Sequence, residues 1–222
     1  MGGIVMATTI NAAASAGLVT TADTSQILQL QTNGITGIQV DASQKVTFAN
    51  SLTSPTLVTP VINGMGSSIL TSGTAVASTS GTSIDFTGIP SWAKRISVMF
   101  NGVSTSGTSN YLIQIGNGSI VTSGYVSSSS VIGAATCLSS SYTTGFGIRA
   151  SASAFLHSGA VVINNITGNT WVAQGSLSEV SSPATYICSG VLALVGTLDR
   201  IRLTTVNGTD TFDAGSINIM YE

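Results

Sequence analysis

Charge is what this sequence most lacks. Lysine, arginine, aspartate and glutamate make up 6% of its 222 residues, against about 25% in an ordinary soluble domain. Lysine stands only at Lys45 and Lys94, and glutamate only at Glu179 and Glu222. So sparse a set forms no basic patch to neutralise phosphates, which argues against a nucleic-acid partner. The net charge of −2 names no partner by its sign. Long apolar runs are also missing. The most apolar stretch, 191–195, is strand-sized, far short of the roughly 18 residues that cross a bilayer, and no membrane insertion is expected. The first residues lack the basic and apolar segments of a secretory leader, so synthesis in a cytoplasm is expected, with Met6 an alternative start to Met1. Two cysteines, Cys137 and Cys188, and one histidine, His157, cannot make a structural zinc site. In a reducing compartment the two cysteines are expected as buried free thiols.

Hydroxyl groups and glycine stand where the charges would be. There are 34 Ser, 30 Thr and 25 Gly, and the hydrophobic share is an ordinary 43%. Disorder needs low hydrophobicity and high net charge, and this chain has neither. Strong helix formers are scarce, whereas Thr, Val and Ile abound among turn-forming residues. This is a strand-and-turn composition, and the fold class expected is all-β. A chain with so little charge to keep its sheet edges apart is expected to close them by oligomerisation.

Three zones follow. Residues 1–24, rich in Ala, Thr and Gly, have no amphipathic period and are expected to lie against a partner as a docking arm. Residues 25–70 read as an extended β-stalk of short strands broken by turns at Asn33-Gly34, 41–44 and Asn63-Gly64. Pro55 and Pro60 suit such a stalk. Each strand is too short to bury its own apolar face, so three copies wound together would complete the core. Residues 71–222 have the size of one domain. Strands are expected at 82–86, 95–100, 111–115, 146–150, 159–164, 171–175, 186–190, 199–206 and 217–221, forming an antiparallel β-sandwich or jelly roll. Alternation puts Ile96, Val98 and Phe100 on one side, and Ile201 and Leu203 inward with Arg200 and Arg202 outward. The stretch 207–210 is the clearest hairpin signal, and 90–94 is the one helical turn expected.

Catalytic patterns are thin. Serine has no Gly-x-Ser-x-Gly setting, and His157 reads as an ordinary surface or loop histidine. Asp199, Asp210 and Asp213 are the nearest thing to a carboxylate group for sugar cleavage or calcium, without the spacing of a calcium loop. Gly64-Met65-Gly66 and Gly145-Phe146-Gly147 lack the third glycine of a phosphate-cradling loop. No catalytic residue, metal site or cofactor is assigned, and a non-enzymatic protein is expected. Aromatic rings remain. Tyr125 and Tyr142 flank the serine-rich stretches 127–130 and 139–141, read as loops, and are the expected surface pair for stacking on a glycan or receptor. Trp171 is the third such candidate, although Trp92 and Trp171 are more often core residues.

The run from Gly73 through Ile84-Asp85-Phe86, Pro90-Ser91-Trp92 and Arg95-Ile96-Ser97-Val98-Met99-Phe100 to Gly107 resembles a module of structural and fibre proteins of tailed bacteriophages. Residues 38–48 and 52–64 resemble phage fibre stalks. Together these cover about half the chain. The resemblance implies a virion location, with assembly in the host cytoplasm, and trimerisation. It also implies host-surface binding, with a cell-surface glycan as the partner expected, and the order of the zones points to docking on a capsid or tail protein through the N-terminal arm. A head fibre or capsid decoration protein fits the length at least as well as a receptor-binding tail fibre. A glycan depolymerase is the enzymatic alternative. No catalytic residue is carried over.

Overall fold

A computed structural model describes residues 28–32, 35–40, 43, 46–48, 70–135, 137–150, 152–153, 155–179 and 183–222. The arm expected over 1–24 and the stalk segment 52–64 lie outside the described residues. The chain divides into two units, Met1–Val61 and Ile62–Glu222. Every described element is a strand, and every strand pairing is antiparallel, as the composition predicts.

In the first unit, β1 (Leu28–Thr32), β2 (Ile35–Val40) and β3 (Val46–Phe48) form a three-stranded sheet in that order. Thr32 stands opposite Ile35 across Asn33-Gly34, and Val40 opposite Val46 across the turn read at 41–44. The register pairs Val40 with Leu28 and Val46, Gln39 with Gln29 and Thr47, and Ile38 with Leu30 and Phe48. Along β2, Ile38 and Val40 share one side and Gln39 the other.

In the second unit the strands are β4 (Thr71–Ser72), β5 (Val76–Ala77), β6 (Ser83–Thr87), β7 (Arg95–Thr105), β8 (Tyr111–Asn117) and β9 (Ser119–Ile120). They continue as β10 (Val126–Gly133), β11 (Cys137–Tyr142), β12 (Phe146–Ile148), β13 (His157–Thr167), β14 (Thr170–Glu179), β15 (Ala184–Ala193), β16 (Arg200–Thr205) and β17 (Phe212–Tyr221). One sheet runs β11-β10-β15-β14-β13-β7-β17-β4, with β5 also on β17. The other runs β12-β8-β16-β6, with β9 on β8. Their inner faces close into one core: Ile96, Val98, Val161, Ile163 and Ile217 of the first sheet and Ile113, Ile115, Ile201 and Leu203 of the second belong to a single buried cluster. This is a β-sandwich.

The inner and outer assignments hold for Arg95–Phe100 and for Arg200–Leu203. Two other expectations need correction. The Asn207–Asp210 stretch is a tight turn, with Asn207 Oδ1 accepting from the Thr209 and Asp210 amides at 3.0 and 3.2 Å. It does not close a hairpin, because β16 lies in one sheet and β17 in the other. The serine-rich stretches 127–130 and 139–141 are strands β10 and β11, not loops, and they pair with each other along their length. In β10 the buried residues are Ser127, Ser129 and Val131, while Val126 and Ile132 face solvent. The inner face is serine because β12 comes very close to it. The Gly147 amide donates to Ser127 Oγ at 3.0 Å, and Ser129 Oγ donates to the Tyr142 hydroxyl at 3.1 Å.

A Cβ added at Gly147 would stand 2.0 Å from Tyr142 Cδ2. Gly147→Ala is therefore expected to destabilise the sandwich by about 1–3 kcal/mol through overpacking. Urea unfolding checks this, and an unshifted midpoint would contradict the tight contact.

Candidate functional site

The three aromatic residues expected at a binding surface are all in the core. Tyr125 is 1% exposed, Trp171 3% and Tyr142 7%. Tyr125 packs edge-on against Phe146 at 5.0 Å. Its hydroxyl accepts from the Ile115 amide at 2.8 Å and donates to the Val121 carbonyl at 3.1 Å. Burial raises its phenol well above the ordinary range. Tyr142 ends β11 and is inward because β11 is a strand, so its ring packs into the sandwich. Trp171 lies on the inner face of β14, its Nε1 buried without a partner. The tryptophan at the surface is instead Trp92, 45% exposed, 5.6 Å from the Tyr221 ring. The expectation of surface contact through Tyr125, Tyr142 and Trp171 is corrected accordingly.

His157 is likewise not a surface residue. It opens β13, is wholly buried, and lies edge-on to Tyr111 and Tyr186 at 5.3 and 4.9 Å. Its Nδ1 is 3.2 Å from the Tyr111 hydroxyl, and its Nε2 has no partner. The aspartates each have their own structural task. Asp199 accepts from the Gly118 amide and from Arg200, and chiefly the Arg200 hydrogen bond lowers its pKa. Asp210 accepts from the Ser109 amide and from Asn207. Asp213 accepts from Ser104. Both cysteines are free thiols. Cys188 is buried, which pushes its thiol up to about 11, but Cys137 is exposed on β11 rather than buried as expected.

A cavity of about 730 Å³ lies where four connections of the sandwich meet. The β7–β8 connection brings Thr108 and Asn110, and the β10–β11 connection brings Gly133, Ala134 and Ala135. The stretch between β12 and β13 brings Arg149 and Phe155, and the start of β15 brings Ala184 and Tyr186. Asn110 Oδ1 accepts from the Ala150 amide at 2.8 Å, which fixes the backbone beside Arg149. Arg149 is half-buried. Its Nη1 donates to Ser140 Oγ at 2.7 Å, and its Nε is buried with no partner. Among the described residues no acidic side chain lines the cavity.

The other arginines differ. Arg95 is 3.1 Å from Glu222, Arg200 is 2.8 Å from Asp199, and Arg202 holds Asp85 through two bonds of 2.7 Å. Among the described residues Arg149 alone of the four arginines has no carboxylate partner. Reading the sequence for aromatic rings passed over it. The signal was present: no acid occurs between Asp85 and Glu179, so Arg149 has no counter-charge nearby in the chain. A second, shallower depression of about 520 Å³ lies on the outer face of the large sheet, lined by Ser128, Ser130, Gln174, Ser176, Ile187 and Ser189. It carries no charge.

No family model, no curated protein and no solved structure matches this chain.

Burial holds the His157 imidazole below its ordinary pKa, against smaller opposing pulls from the Val103 backbone and the Glu179 carboxylate. Folding then releases protons that the unfolded chain binds. The resulting stability is complete above the unfolded value of about 6.5 and declines as pH falls below it. The thermal midpoint is expected to drop between about pH 7.5 and about pH 5.5. Scanning calorimetry at both pH values checks this, and a flat or rising midpoint would show that His157 is not buried neutral.

Proposed function

We propose that this chain is a non-enzymatic structural protein of a bacteriophage particle. It assembles as a trimer, docks through its N-terminal arm and turns its β-sandwich to solvent and the host surface. The observation that carries the trimer is the three-stranded sheet of the first unit. In its register Val40 pairs with Leu28 and Val46, and Ile38 with Leu30 and Phe48. Ile38 and Val40 are only half-buried and Val46 is 50% exposed in the single chain. Apolar positions left in water on a small sheet gain by packing against a matching surface. The same face on a second and a third copy is chemically matched to it, and closed symmetry is the usual way such surfaces are satisfied. Scarcity of charge favours this, since the packed faces bring no ion out of water. The resemblance of 73–107 to a phage structural module supports the virion location. A capsid decoration role and a tail-fibre role differ in copy number per particle.

Multi-angle light scattering of the full chain at micromolar concentration is expected to give three times the 22.3 kDa chain mass. A single-chain mass would overturn the trimer. Val40→Asp places a carboxylate in the shared face, where an unpaired buried charge costs roughly 3–5 kcal/mol. It is expected to lower the mass to one chain while leaving the near-ultraviolet circular dichroism of the sandwich unchanged.

A further inference from the structure

We propose that the cavity around Arg149 binds the carboxylate of an acidic sugar. The proposal deepens the reading of the sandwich as a host-contact surface, and it rests on that reading only for the biological source of the sugar.

A half-buried guanidinium without a counter-charge is costly to keep. The chain has the means to neutralise arginines and does so three times, with Glu222, Asp199 and Asp85. At Arg149 it supplies one neutral hydroxyl, Ser140 Oγ, to Nη1. Nε has no partner, and among the described residues Nη2 has none. Nε and Nη2 form one edge of the planar guanidinium, the edge that takes a carboxylate through two parallel bonds. Ser140 fixes the opposite end and leaves that edge unengaged. Nε is buried, so a turn of the side chain is needed to bring both nitrogens to one carboxylate.

The rest of the cavity narrows the ligand. Its volume of about 730 Å³ lies within the range of about 300–1,000 Å³ that holds small organic ligands. A bare inorganic anion would leave most of that space to water. Its lining provides one positive charge and otherwise neutral groups. Thr108 and Asn110 offer hydroxyl and amide contacts, and Val131, Leu138 and Phe155 offer apolar surface. The complement of such a lining carries one negative charge on a hydroxylated body with an apolar ring face. A carboxylated sugar has all three features. The four converging connections also put the cavity at an end of the sandwich, where recognition surfaces on β-scaffolds commonly lie.

The test is saturation-transfer NMR on the full chain with glucuronate and N-acetylneuraminate as probes and glucose and acetate as controls. Saturation of at least one acidic sugar is expected, with an affinity at least tenfold above those of glucose and acetate. Arg149→Gln is expected to lose that affinity at least tenfold, and Arg149→Lys to retain part of it. Because Arg149→Gln also removes the bond to Ser140, a second variant leaves the arginine in place. Ala135→Trp at the exposed mouth is expected to block binding with the fold intact. Binding of neither acidic sugar overturns the proposal. So does binding unchanged in Arg149→Gln, or glucose or acetate binding as well as the acidic sugars. Any of these failures leaves the light-scattering result on the trimer untouched, so the two readings fail separately.

Discussion

The sandwich depends on the closure of its two sheets over a core that carries almost all the stabilising interaction. Across the large sheet, Ile219, Val98 and Val161 stand in register, as do Ile96 and Ile163 beside them. Each is buried to 3% exposure or less, as are Ile113, Ile115, Ile201 and Leu203 on the facing sheet. Charge contributes little, since the three ion pairs are partly exposed and such pairs are worth about 0–1 kcal/mol each. Hydroxyl groups do the polar work that charge does elsewhere. Ser78 Oγ donates to the Ala214 carbonyl at 2.6 Å, Thr204 Oγ1 to the Thr82 carbonyl at 2.8 Å, and Ser127 Oγ accepts from Gly147. Short side chains of this kind satisfy backbone groups without demanding room between close-packed strands.

That economy also explains what the sequence disclosed and what it concealed. Strands with alternating Val, Ile and Arg or Ser, such as β7 and β16, were legible because solvent and core impose different chemistry on their two faces. The pair β10 and β11 was not. Where β12 approaches, the core-facing positions of β10 must be small, so serine sits inside while Val126 and Ile132 face outward. The period of two is intact, but its polarity is inverted, and a reading keyed to hydrophobicity sees a loop. Misplacing those strands put Tyr125 and Tyr142 on the surface, when their hydroxyls are internal hydrogen-bonding groups.

The turn at Asn207–Asp210 was concealed for a different reason. Its side-chain bonds and the positive φ of 68° at Gly208 are local, and local chemistry specifies a reversal without specifying which strand comes next to which. The partners of β16 are set by Ile201 and Leu203 against Ile113, Ile115, Ile84 and Phe86, from distant parts of the chain. Arg149 is a third case. Its surroundings come from four separate connections, so only its lack of a nearby acid could be read in advance.

The two units differ in how complete they are. The sandwich buries its largest side chains within one chain: Tyr111, Tyr125, Tyr186, Phe146 and Phe212 come from five strands or their connections. In the three-stranded sheet Ile38 and Val40 are half-buried and Val46 is 50% exposed. Incompleteness of the first kind of surface, an apolar face, is relieved by a matching apolar face. Incompleteness at Arg149 is of another kind, a directional charge in a cavity, and a flat apolar surface cannot relieve it. The two units thus leave different chemistry open, an apolar side chain at Val46 in the first and the guanidinium of Arg149 in the second.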